Sequence, residues 1–144
     1  MVPTVLLVED NPDHAVFALK ALRNDAPTAQ VVWAKDGAEA LAFLERWFHA
    51  AKVPPEPRPE LILLDIHLPK VDGHEVLRRV KGDERLKTIP VIMLTTSDRA
   101  EDVAASYDSG ANSYIAKPVS SKDFVAHLKS VKEYWLLTNT TPAA

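Results

Sequence analysis

Glu9, Asp10, Asp65, Thr95 and Lys117 have the types and the setting to act together. Each closes a short aliphatic run: Glu9 and Asp10 follow TVLLV, Asp65 follows LILL, Thr95 follows VIML, and Lys117, with Pro118 behind it, follows SYIA. Held close together, the three carboxylates repel, and an unpaired one would raise its pKa and take up a proton. A cation is therefore expected among them. Oxygen donors without a histidine cluster favour a hard ion such as Mg2+, which keeps several waters and takes one or two carboxylates plus a substrate phosphate. Asp10 and Asp65 are the expected direct ligands, with Glu9 acting through water. The same set suits phosphoryl transfer onto a carboxylate. Asp65 attacks phosphorus, Mg2+ and Lys117 neutralise the oxygens on which charge develops, and the Thr95 hydroxyl donates to one of them. The product is an aspartyl phosphate.

Such a convergence requires the runs to end on one edge of one sheet. The runs at 4–8, 61–64 and 91–94 are nearly continuous in apolar residues, as strands covered by helices on both faces are. Weaker runs lie at 113–116 and 31–34. Helical patterns alternate with them. Asn11 followed by Pro12 reads as an N-cap and first helical position, opening a helix through Val16, Leu19 and Leu22 that stops at 24–27. The spacing predicts further helices over 38–51 (Leu41, Leu44, Phe48), over 73–81 (Val76, Leu77, Val80) and over 99–108, the last capped by Ser97 or Asp98 and ended by Gly110. A fifth is capped by Ser120 and carries Phe124, Leu128, Val131 and Trp135 at helical spacing. Five β-α units argue for an open α/β sheet with right-handed crossovers, since a closed barrel needs eight. In such a sheet, ligands bind beyond the carboxyl ends of the strands, where the strand order reverses.

Composition narrows the classes further. At 144 residues, 47% hydrophobic and 26% charged, the chain is expected to form one well-packed domain. It has no cysteine, which removes disulfides, thiolate nucleophiles and cysteine-held zinc or iron-sulfur sites. The net charge of −3 comes with no basic block, so nucleic acid is not an expected ligand. The amino terminus meets Glu9 and Asp10 too soon for a signal peptide or membrane span, which reads as cytoplasmic. Four glycines form neither GxxxxGK[ST] nor GxGxxG. The proline-rich stretch 52–60 reads as an extended connector.

Four blocks, VLLVEDNP, LILLDIHLPKVDG, PVIMLTTS and SYIAKP, stand in an order and spacing that resembles the receiver domain of two-component response regulators over nearly the whole chain. The resemblance implies a flavodoxin-like fold with a five-stranded parallel sheet in the order 2-1-3-4-5 and helices on both faces, an arrangement associated with the chemotaxis regulator. It also implies a phosphoryl group received from a histidine kinase. Position by position, Asp65 matches the phosphoacceptor, Glu9 and Asp10 the acidic pair, and the backbone carbonyl of His67 a further Mg2+ ligand. Thr95 matches the switch hydroxyl, Lys117 the lysine of that family, and Tyr114 the aromatic that rotates on activation. Pro118 matches a proline that the family joins to the lysine by a cis bond. His67 and Ser97 match the residues flanking the attack line of water. Thr96, larger than the alanine or glycine often found there, is expected to narrow access to the phosphoryl group and slow its hydrolysis.

The resemblance makes the chain a stand-alone receiver over 1–137 with a flexible tail at 138–144, a self-phosphorylating and self-dephosphorylating switch in place of a turnover enzyme. Within such regulators it is similar to those that partner phytochrome-type photoreceptor kinases, through the proline-rich loop, LPKVDGHEVL, LTTS and the aromatic-leucine run at 134–137. Kinase contacts are expected on the first helix, around His14, Ala15 and Phe17, and on the loop after Lys117. Two rival readings are a haloacid-dehalogenase-type phosphatase and a flavodoxin-like FMN binder. The first strand ends VEDNPD where the phosphatase requires DxDx[TV], and its loop lacks the Thr/Ser-rich nest that holds FMN phosphate. Tyr134, Leu136 and Leu137 are expected to lie off the buried stripe of the last helix. With Val103 and Tyr107 they make an apolar patch that suits a two-fold homodimer through the fourth helix, fifth strand and fifth helix.

Overall fold

Successive side chains of a strand point to opposite faces, so a strand apolar at every position needs cover on both sides. The computed structural model, which describes residues 2–142, supplies that cover. Its elements alternate as β1 (Thr4–Val8), α1 (Pro12–Arg23), β2 (Gln30–Ala34), α2 (Gly37–Leu44), β3 (Leu61–Leu64), α3 (Gly73–Lys81), β4 (Val91–Thr95), α4 (Ala100–Asp108), β5 (Ser113–Ala116) and α5 (Ser121–Glu133). The five strands are parallel and lie in the order 2-1-3-4-5, the flavodoxin-like arrangement.

Two cores follow from the alternation. Val5, Leu7, Leu61, Leu63, Ile92 and Leu94 face α1 and α5, where they pack with Ala18, Leu22, Phe124, Leu128 and Val131. Leu6, Val8, Ile62, Leu64 and Met93 face the other side and pack with Leu44, Trp47, Val76, Leu77 and Val80. All of these side chains are buried, so neither face of the central strands meets water.

The first helix begins as its sequence suggests: Asn11 Oδ1 accepts the N–H groups of Asp13 at 2.9 Å and His14 at 3.2 Å, with Pro12 at the first helical position. Its buried stripe, however, is mostly alanine. Ala15, Ala18 and Ala21 join Leu22 inside, while Val16 is 61% exposed, because α1 lies close against α5 and small side chains permit that approach.

Elsewhere contacts outside the helical pattern reset the helix boundaries. The helix expected over 38–51 ends at Leu44, and Glu45–Trp47 tightens into a 3-10 turn. Trp47, not Phe48, is thereby buried. The chain then leaves through His49 at φ 56°, whose N–H donates to Asp83 Oδ2 at 2.6 Å. The expected cap on α4 is also different. Arg99 is the N-cap and offers no side-chain bond, since a guanidinium has no acceptor; Ser97 Oγ, two residues earlier, accepts the Arg99 N–H at 3.3 Å and donates to Asp102 within the helix.

At the other end of the fold, α5 passes into a π turn over Tyr134–Thr138, and the changed winding brings Leu136 as well as Trp135 half-buried onto the core, where Leu136 had been expected outside. Asn139 N–H closes that turn on Tyr134 O at 2.7 Å, while 143–144 of the expected tail lie outside the described residues. Among the described residues the one cis peptide bond is Ala26–Pro27, so the Lys117–Pro118 bond, which the resemblance implies to be cis, is trans. The two isomers of an X–Pro bond differ by only about 0.5–1 kcal/mol, which leaves the choice to the surroundings.

The proline-rich stretch is fastened on both sides. Arg85 donates to Ala50 O and Ala51 O, each at 3.0 Å, and Arg58 donates to Arg85 O at 2.9 Å and to Thr88 Oγ1 at 2.7 Å. The stretch joins α2 to β3, at the amino-terminal edge of the sheet and away from the strand-end carboxylates.

Candidate functional site

The strand order reverses between β1 and β3, and the two elements leave the sheet there on different sides. The parallel ladder runs one residue past the strands: Glu9 N–H donates to Ala34 O at 3.0 Å, Asp65 N–H to Val8 O at 3.2 Å and Lys117 N–H to Thr95 O at 2.7 Å. This extension fixes the backbone beneath each charged side chain. Gly73 opens α3 against the same loop. A Cβ there would lie 2.0 Å from Asp65 O, so only glycine admits the approach, and its N–H donates to Ile66 O at 2.7 Å.

The result is a cavity of about 180 Å3 lined by Glu9, Asp10, Asn11, His14, Asp65, His67, Thr96 and Lys117. One oxygen from each of Glu9, Asp10 and Asp65 lies within 4.8 Å of the others, Glu9 and Asp65 buried and Asp10 exposed. Glu9 Oε2 accepts the Asn11 N–H at 3.1 Å, and Asp65 Oδ1 accepts the Ile66 N–H at 2.7 Å. Their remaining oxygens face Lys117 Nζ, which is in contact with Glu9 Oε1 and lies 3.2 Å from Asp65 Oδ2. The third ammonium proton meets His14 Nδ1 at 3.0 Å. Lys117 is therefore saturated by acceptors on three different elements.

The charges respond to this setting. Burial pushes the Glu9 carboxyl above its ordinary value, against the opposing pull of Lys117. Burial, then the neighbouring ammonium, lowers the His14 imidazole, consistent with a neutral ring whose Nδ1 accepts from Lys117. Three carboxylates against one ammonium leave excess negative charge, and all three donors are oxygens. That donor set fits a hard divalent cation such as Mg2+, which Glu9, Asp10 and Asp65 would hold. When bound, it neutralises the oxygens of a transferred phosphoryl group.

The other residues singled out in the sequence are distributed around this cluster. His67 and Thr96 line the cavity. Thr95 is fully buried beneath it, its Oγ1 accepting the Ser97 N–H at 3.5 Å. Tyr114 is half-buried, and its hydroxyl donates to Ser97 O at 2.8 Å. Ser97 does not line the cavity; its hydroxyl donates to Asp102 Oδ2 at 2.5 Å. Two contributors were missed by sequence reasoning. His14 was noted only for its surface, although a third helical residue beside a strand-end carboxylate pair is placed to lean back over it. Asp102 had no signal beyond its charge.

Residues 5–129 match the response regulator receiver domain. The chain is 43% identical over 138 residues to the probable methanogenesis regulatory protein FilR2 of Methanothrix harundinacea, covering 96% of this chain and 86% of that one. It is 39% identical over 140 residues to response regulator Rcp1 of Synechocystis, covering 97% and 93%. The Mn2+-bound form of Rcp1 superposes with a TM-score of 0.87 at 38% identity, over 98% of this chain and 99% of that one. The phosphorylated cyanobacterial phytochrome response regulator RcpA superposes with a TM-score of 0.90 at 39% identity, over 99% of this chain and 100% of that one.

Proposed function

Because this chain belongs to the response regulator receiver family, we propose that it is a single-domain regulator that takes a phosphoryl group onto Asp65 from a phosphohistidine of a sensor kinase and signals by protein contact. The observation that carries this is the buried Asp65 carboxylate, held between the Ile66 N–H and Lys117 at the mouth of an acidic cavity. A carboxylate oxygen of Asp65 bonds to phosphorus as the P–N bond of the donor breaks, its electron pair leaving with the imidazole. Lys117 stays beside the oxygens that gain charge, and Thr95 below the cavity supplies the hydroxyl that answers the new group. Tyr114, bonded to Ser97 O, relays that answer toward β5. This activity is a switch, reset by hydrolysis of the aspartyl phosphate, with Thr96 and His67 at the opening through which water arrives.

A phytochrome-type kinase is the partner we propose, on the likeness to Rcp1 and RcpA. The receiver unit is taken as 1–137 and the tail as 138–144, acting in the cytoplasm; no described helix is long and apolar enough to cross a membrane. Labelling the chain with a small phosphodonor and Mg2+, read by intact mass, tests the function. One added phosphoryl group is expected, and none when a chelator is present. Asp10→Asn is expected to lower Mg2+ affinity by roughly tenfold or more, the order for losing one of very few carboxylate ligands. Calorimetry giving an unchanged affinity would remove Asp10 from the metal site.

A homodimer through α4, β5 and α5 is part of the same reading. β5 is an edge strand of half-buried and exposed residues, so among the described residues its outer side has no strand partner. On α4 Tyr107 is 50% exposed, and beyond α5 Tyr134 and Leu137 are 49% and 63% exposed. Replacing Tyr134 and Leu137 by Ser together is expected to convert a dimer at tens of micromolar to a monomer in light scattering. A wild type that is already monomeric, with and without a phosphoryl mimic, would end the dimer reading.

A further inference from the structure

Beside the cavity, four hydrogen bonds meet on Ser97. Its N–H faces Thr95 Oγ1 at 3.5 Å, and its carbonyl accepts the Tyr114 hydroxyl at 2.8 Å. Its Oγ accepts the Arg99 N–H at 3.3 Å and donates to Asp102 Oδ2 at 2.5 Å. That same Oδ2 stands 4.0 Å from His67 Nε2. Asp102 lies in the first turn of α4, and only 18% of its side chain is exposed. The turn is itself held: Ser106 Oγ donates to Asp102 O at 2.8 Å and meets His74 Nε2 at 3.1 Å. The Ser97 hydroxyl holds the Asp102 carboxyl below the usual carboxylate range, so the acceptor stays ionised.

Loss of the phosphoryl group requires a water oxygen to bond to phosphorus while the P–O bond to Asp65 breaks. The electron pair returns to the carboxylate, and the water's proton passes to bulk solvent as inorganic phosphate leaves. A hydroxyl can orient such a water when its own proton and lone pairs are free. Here the Ser97 proton is committed to a carboxylate and a lone pair to Arg99. On the reading of Asp65 as the acceptor, we propose that Asp102 is a positioning residue that lengthens the life of the phosphoryl group: its one carboxylate oxygen turns Ser97 Oγ toward α4, leaving attacking water without the Ser97 hydroxyl to orient it. The reset rate of the switch is thereby tied to the first turn of α4.

A double-mutant cycle tests this. The chain is labelled with a small phosphodonor and Mg2+, desalted, and its decay followed by intact mass for wild type, Asp102→Ala, Ser97→Ala and the double variant. Asp102→Ala is expected to speed decay by about threefold to tenfold, the range one water-orienting hydrogen bond commands. The acceleration should vanish in the Ser97→Ala background. Asp102→Asn, whose side-chain oxygen still accepts the Ser97 proton, should restore slow decay, which loss of general packing would not. Without any phosphodonor, NMR should show a slowly exchanging Ser97 hydroxyl proton in wild type and Asp102→Asn, absent from Asp102→Ala. Unaltered decay in Asp102→Ala, or equal acceleration with and without Ser97, overturns the role of Asp102 alone. A wild type that takes up no phosphoryl group overturns the acceptor reading, and this proposal with it.

Discussion

Asp65→Asn is expected to take up no phosphoryl group under conditions that label the unaltered chain fully. The amide has nearly the shape of the carboxylate, and its oxygen can still accept the Ile66 N–H that now bonds Asp65 Oδ1 at 2.7 Å. What is lost is the anionic nucleophile, since an amide oxygen does not displace a leaving group from phosphorus at neutral pH. The substitution also removes one of the three carboxylates gathered within 4.8 Å, so affinity for a divalent cation should fall in the same variant. Stability moves the other way. With one fewer negative charge in the cluster, the melting temperature is expected to hold or rise, which separates lost chemistry from lost fold. Intact-mass spectra showing equal incorporation in Asp65→Asn and wild type would move the acceptor elsewhere.

Lys117→Met should cost the fold about 3–5 kcal/mol near neutral pH, the range for removing one partner of a buried ion pair. The lysine side chain is 4% exposed and is shared by Glu9, whose side chain is 2% exposed, and Asp65, at 9%. Without it two carboxylates remain in a site from which water is largely excluded. Their relief is protonation, and Glu9 is the group prepared for it, because burial already holds its pKa above the ordinary 4.5. A raised folded-state pKa contributes stability that is present below the unfolded value and is lost as pH rises through the folded value. Removing the ammonium raises Glu9 further and moves that loss to higher pH. The deficit of Lys117→Met relative to wild type should therefore be larger at about pH 7 than at about pH 5, measured as the shift in urea midpoint at each pH. An equal deficit at both, or one below about 1 kcal/mol, would mean that Glu9 does not depend on Lys117.

Most of the scaffold was legible. A strand covered on both faces must be apolar at every position, so LILL, TVLLV and VIML could be recognised without knowing their neighbours. Caps are equally local: Asn11, Asp72 and Ser120 bond N–H groups two or three residues ahead, within reach of any reading of the chain. The departures fall where a contact that periodicity and capping rules do not carry takes over. Helix α2 stops early because its exit is taken up by Asp83, 34 residues beyond His49. Ser97 does not cap α4 in the usual way because the helix starts two residues later, with Arg99 at the N-cap, and Ser97 Oγ bonds the Arg99 N–H and Asp102. Leu136 turns inward because α5 ends in a wider turn.

The same division runs through the site. Sequence alone determined which chemistry is available: acids after the first and third strands, a hydroxyl ending the fourth and an ammonium after the fifth, each bound to a strand end because its position along the chain is covalent. Strand-end position implies convergence, since parallel strands of one sheet all end on one edge. The tertiary structure alone decided how those groups share their protons and charge. Lys117 could have bonded Asp65 only; it is also claimed by Glu9, 108 residues away, and by His14, 103 residues away. Ser97 could have faced the cavity and instead faces Asp102. Each of these is a choice among local states that differ by about a kilocalorie, so one additional contact from a distant element is enough to settle it.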